Sequence, residues 1–248
     1  MKKFLYSAFL ILNIFNAFCQ NEIKNDTITV TRLNDANFDQ KQEKFSKFFL
    51  IGNYGLGYRT AKISNSVDPS FKSYVKDLKS GTSFDFEIGY RKDKNTTYSF
   101  LFSRFNSKGS IGNVEYTEPN GFEGFGKISD DIKINFYGIG GAFNDKGFGN
   151  LDVVIISMHL GYIQYVNNVT LTNKYKFSGG NLGINAKVGY YLGITPSIKI
   201  GPAISFNGGV IKKFKIEGNG FSDSYKLEDD NLESLYRFDL MIGTLINL

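Results

Sequence analysis

The chain has 248 residues, room for one or two domains with a sizeable core. Its single Cys (Cys19) and single His (His159) exclude a disulfide scaffold and any zinc site built on His/Cys clusters, so neither metal nor cofactor is expected. A net charge of +5, with the lysines scattered along the chain, excludes a nucleic-acid binder, and 27 Gly, 24 Phe and 15 Tyr against 4 Pro favour strands and turns over helices.

Met1 to Gln20 reads as a secretory signal peptide. Lys2 and Lys3 precede the apolar stretch Phe4–Phe15, and Ala17 and Cys19 place small residues at −3 and −1 of a cleavage site. The apolar run is shorter than the ~20 residues a spanning helix needs, so it is no permanent anchor. Cys19 is expected to leave with residues 1–19. Lipidation of Cys19 is the lesser alternative, because Phe18 is bulky where such signals carry a small residue. Residues 20–46 are polar and read as a largely irregular periplasmic lead-in.

From residue 47 the pattern becomes period-2 alternation. Over Asn181–Leu192 one face carries Leu182, Ile184, Ala186 and Val188, and the other Gly183, Asn185, Lys187 and Gly189. Eight such segments follow one another, at about 47–61, 82–91, 96–106, 131–143, 151–166, 180–193, 197–216 and 233–248. Long connections (62–81, 107–130, 167–179, 217–232) alternate with short ones (92–95, 144–150, 194–196). That rhythm predicts an all-β fold: an eight-stranded antiparallel up-and-down transmembrane β-barrel over 47–248, with both termini on the short-turn, periplasmic side. A soluble lipocalin-like barrel holding an apolar ligand would alternate too, with its apolar face turned inward.

The last segment places Tyr236, Phe238, Leu240, Ile242 and Ile246 on one face and ends at Leu248. On that strand, the strand count and the loop rhythm, residues 47–248 resemble the small eight-stranded bacterial outer-membrane barrels of the outer membrane protein A and X type. The resemblance implies the cell outer membrane, contact with its lipid, and a monomer. Two features depart from it: Leu248 stands where a terminal Phe is usual, and Trp is absent. Tyr54, Tyr58, Tyr90, Tyr98, Tyr162 and Tyr190 are therefore expected to form the interfacial girdle. Pro202 removes a ladder donor and predicts a bulge or local break in its strand.

Little in the chain points to chemistry. Gly121–Lys127 nearly matches a phosphate-cradling loop, but Ile128 stands where a hydroxyl should hold Mg²⁺. Ser157 and His159 lie two apart on one strand, so both face the bore, as a hydroxyl nucleophile and its base could. Asp85, Glu87, Arg91, Lys133, Lys187, Lys199, Arg237 and Asp239 are expected in the bore too, as a salt-bridged plug or an ion path. The acidic loop 217–232 lacks the spacing of a calcium site. The expected function is a non-enzymatic structural or adhesion-type role, with the long loops meeting a surface ligand or protein. The alternatives are a lipid-modifying enzyme using His159 and Ser157, a narrow solute pore, and the soluble binder.

Overall fold

The computed structural model describes residues 46–63, 67–93, 96–227 and 232–248; the leader, nearly all of the lead-in and Cys19 fall outside them. In chain order the elements are β1 (Phe48–Arg59), α1 (Pro69–Asp77), β2 (Ser80–Arg91), β3 (Thr96–Thr117), β4 (Glu123–Lys146), β5 (Val153–Thr170) and β6 (Lys174–Gly193). They continue with β7 (Ile198–Ile211), β8 (Lys213–Gly218), β9 (Phe221–Lys226), β10 (Glu233–Ser234) and β11 (Arg237–Asn247).

Eight of these strands close a ring, in the order β1–β2–β3–β4–β5–β6–β7–β11 and back to β1, every pair antiparallel. A ladder leaving Phe48 passes Tyr90, Tyr98, Gly141, Met158, Ala186, Phe206 and Phe238 and returns to β1 at Tyr58, ten residues higher. Such an offset means inclined strands and, for eight of them, a bore that side chains can fill. Residues on one ladder therefore lie at different depths, and depth is counted along each strand from its foot.

For about ten residues above the feet the outer wall is apolar. Leu56, Ile139 and Leu182 are 69%, 72% and 81% exposed there. At roughly 3.3 Å per residue and a 35–45° inclination, this band is about 25 Å tall, the thickness of a lipid hydrocarbon layer. Phe48, Tyr90, Tyr98 and Phe143 ring its foot, and Tyr58, Tyr137, Tyr162 and Phe238 ring its top. Tyr54 departs from the expected girdle, standing near the middle of the band. An apolar wall facing outward also overturns the soluble alternative.

Above the band the alternation keeps its period and reverses its sense. On β4, Ile139 and Tyr137 point outward within the band; higher up, Ile134 and Ile132 point inward and Lys133 points out. Lys133 is therefore not in the bore. Once the wall leaves lipid, its wet face is the outer one and its dry face lies under α1.

The predicted long loops are mostly strand. β3 and β4 rise to a tight tip at 118–122, and β5 and β6 turn at 171–173. Gly121–Lys127 lies on this tip and on β4, with no helix following it. The predicted strand 197–216 is two strands, because the chain leaves the ring at Lys212. β8 then joins the upper part of β6, with Gly179 opposite Phe214 and Lys176 opposite Glu217. At Pro202 the β6–β7 pairing is interrupted without a register shift, so the break occurs and the bulge does not. Helix α1, read as loop, starts where Asp68 Oδ1 accepts from Ser70 N (2.8 Å) and Pro69 opens the first turn.

Candidate functional site

The bore is packed in three layers. At the foot, Phe49, Ile51, Ala142, Ile155, Tyr191 and Leu245 form an apolar plug. At the top a second apolar cluster includes Phe105, Ile134, Phe136, Ile163 and Ile211, and Tyr74 and Leu78 pack onto it from α1 and its C-cap. Tyr74 Oη donates to Asp130, which also accepts from Asn167 Nδ2. Arg59 pairs with Glu233 beside this cap.

Between the plugs lies a polar layer whose charges are paired. Lys187 Nζ is 2.7 Å from Glu87 Oε2 and 3.4 Å from Asp85 Oδ1. Asn53 Nδ2 donates to Asp85 (2.6 Å), and Tyr191 Oη donates to Asn53 Oδ1 (3.0 Å). A second group centres on Asp239, which accepts from Arg237 Nε (3.0 Å), Asn207 Nδ2 (2.8 Å) and Ser205 Oγ (3.1 Å). Arg237 also donates to Ser103 Oγ (2.6 Å). Asp85, Glu87, Lys187, Arg237 and Asp239 thus lie in the bore as expected. Arg91 and Lys199 lie nearer its foot, where Arg91 donates to Ser46 O (3.1 Å) and Lys199 to Leu151 O.

Ser157 and His159 both face the bore and are buried. The hydroxyl beside His159 is Ser99 on β3, with Oγ 2.8 Å from Nε2, and Glu87 Oε1 lies 3.6 Å from the same nitrogen. A relay from acid through imidazole to a hydroxyl nucleophile uses opposite ring nitrogens. Here both contacts fall on one, inside a sealed layer. Ser99 was invisible in the sequence because it lies 60 positions from His159 and meets it only through strand pairing, the two side chains touching over Gly140 of the strand between them.

Outside the band, the upper halves of β3–β6 with β8 and β9 form a tall sheet. Glu118 ties its two hairpin tips together. It accepts from Asn173 N (2.9 Å), Asn173 Nδ2 (2.7 Å) and Tyr175 Oη (3.0 Å), while Tyr116 Oη meets Thr172 Oγ1 (2.8 Å). Burial alone would raise the Glu118 carboxyl, but the hydrogen bonds from Asn173 and Tyr175 outweigh it and hold the group below the usual carboxylate range. Phe122 and Phe125 stand exposed at the tip. On the opposite side of the membrane Asp152 closes the β4–β5 turn. Bonds from Gly193 N (3.0 Å) and Tyr190 Oη (2.7 Å) lower its carboxyl. The acidic segment 217–232 is in large part the β8–β9 hairpin, where Glu217 pairs with Lys215 (2.6 Å); Glu228, Asp229 and Asp230 lie outside the described residues.

No protein-family profile matches this chain, and no curated protein matches it by sequence. Solved structures do. The outer membrane protein OprG of Pseudomonas aeruginosa aligns at TM-score 0.51 and 10% identity over 82% of this chain and 97% of its own. A major outer membrane protein of Thermus thermophilus aligns at 0.51 and 10% over 82% and 99%. The Escherichia coli outer membrane protease OmpT aligns at 0.44 and 13% over 69% of this chain, which spans 65% of the protease's length. The fold is therefore that of the small outer-membrane β-barrels, and the apolar band of this chain's own wall seats it in that membrane.

Proposed function

We propose that this chain is a non-enzymatic outer-membrane barrel acting at the cell surface through its extracellular sheet, in a structural or adhesion-type role. In this reading residues 1–19 are a signal peptide, 20–46 a periplasmic lead-in and 47–248 a monomeric barrel.

The contrast between bore and wall carries the reading. Two apolar plugs and a charge-paired layer fill the bore, whereas the extracellular sheet ends, among the described residues, at β9, an edge strand paired on one side only. An open edge and a wet outer face offer a partner both backbone hydrogen bonds and side-chain contacts.

Three experiments divide the readings. Full-length protein in planar bilayers is expected to show no unitary conductance, and steady channels would establish the pore instead. His159→Ala is expected to leave the acylation pattern of the outer-membrane lipids unchanged; an altered pattern would restore the enzyme. Replacing the 113–124 tip by a short turn is expected to keep heat-modifiable gel migration while abolishing any attachment of cells that the native chain confers. Equal attachment by both would refute the surface role.

A further inference from the structure

The lysines that look scattered in the sequence converge on the outer wall. Above the apolar band the outward positions of β3 carry Lys108 and Ser110, those of β4 Lys133, Asp131 and Ser129, those of β5 Asn168 and Thr170, and those of β6 Lys176 and Lys174. Lys127, at the β3–β4 bulge, joins them. Lys108, Lys127 and Lys174, with Ser110, Ser129 and Thr170, line an open depression of about 600 Å³. Asp130 and Asp131 line it as well, and Glu217 of β8 stands opposite Lys176, three acids against five lysines. Asp131 is shared between Lys108 (3.4 Å) and Lys133 (3.5 Å), and Asp130 is held from the bore side by Tyr74 and Asn167. The patch is therefore net cationic.

Its height says what it meets. Lys133 stands four residues above Tyr137 of the upper aromatic ring, and Lys127 ten residues above it. At roughly 3.3 Å per inclined residue, the cations span a zone from about 10 Å to about 25 Å above the lipid boundary. A hydrogen-bonded row seals the step between lipid and cations. Arg104 Nε donates to Asn135 Oδ1 (2.8 Å), and Asn135 Nδ2 donates to Gln164 Oε1 (3.1 Å). A phospholipid headgroup is too short to reach the upper lysines; a phosphorylated saccharide head is not.

We infer that the outer wall of β3–β6 above the apolar band is a docking surface for a phosphorylated glycolipid of the surrounding outer leaflet. Its acyl chains lie on the apolar band, its phosphates meet Lys108, Lys127 and Lys174, and its sugar hydroxyls face Ser110, Ser129 and Thr170. The site is continuous with the lipid-facing wall, which favours a lipid over a soluble anion.

The test uses the full-length barrel in mixed micelles of phosphatidylcholine and a glycolipid whose core oligosaccharide, above the acylated sugars, carries phosphates, with bound lipid counted by native mass spectrometry. Retention of the phosphorylated glycolipid is expected to fall about a hundredfold in K108E/K127E/K174E, given the roughly fivefold that each near-surface cation contributes. Native retention should also weaken with added salt. The triple arginine variant should retain the lipid, and unboiled gel migration checks that each variant is folded. Three outcomes would overturn the inference: undiminished retention by the glutamate variant, equal retention of the dephosphorylated glycolipid, or equally tight binding of the phosphorylated core oligosaccharide without acyl chains.

Discussion

Among the described residues Lys187 is the only ammonium in contact with two buried carboxylates, and Lys187→Met removes its charge while keeping most of its length. At separations of 2.7 Å and 3.4 Å and an effective dielectric of about 20, the attractions are about 6 and about 5 kcal/mol. Desolvation offsets much of this in the native protein, but after the substitution Glu87 and Asp85 remain desolvated with the cation gone. The expected loss is about 3–5 kcal/mol. It is read from urea unfolding in lipid vesicles, scoring the folded fraction by the unboiled gel band. Adding Glu87→Gln should recover part of the loss, since one stranded charge disappears with its cost. A single-variant loss under about 1 kcal/mol, or a double variant as weak as the sum of both singles, would refute the picture of a charge-paired layer.

Three further outcomes follow from other parts of the wall. Gly89 faces the Phe49 ring, where an added Cβ would come within 2.2 Å, so Gly89→Ala should cost about 1–3 kcal/mol in the same unfolding assay. Leu78→Ala removes a buried contact between the α1 C-cap and the upper plug. It should cost about 2–5 kcal/mol at most and appear first as faster proteolysis of 67–79. Glu118→Gln should speed amide exchange at both hairpin tips. The native carboxyl lies below its unfolded value, so its contribution is present above about pH 4.3 and is lost as pH falls through the folded pKa. Native exchange at the tips should approach that of the variant in that acid window, and pH-independent tips would contradict the tie.

The barrel itself was legible because lipid imposes one sense of alternation on every strand that crosses it. Leu182–Leu192 and Phe238–Ile246 show it plainly, and the short turns separate the strands cleanly. Where the wall leaves lipid the rule lapses. Residues 107–117 and 123–130 are polar enough to read as loop, yet they are strand, because a wet outer face no longer needs apolar side chains. The same reversal misplaced Lys133. Helix α1 carries its start signal in Asp68, Pro69 and Ser70, but at 9 residues it is too short for an apolar helical period to show. The partners of His159 and the gathering of lysines lay beyond reach for a different reason. Both depend on pairing register between strands, which no single segment encodes.

The interruption at Pro202 gives the cylinder a preferred line of failure. The seam where first and last strands meet is bonded without a gap from Phe49 to Arg59, so chain closure is not the weak place. Between β6 and β7 the pairs opposite Gly201 and Pro202 are missing, and above Gly183 β6 turns to β8 for its partner. Under lateral tension the wall should unzip there first. A covalent clamp across β6 and β7 would raise the rupture force in single-molecule pulling, whereas the same clamp across β1 and β11 would leave it unchanged.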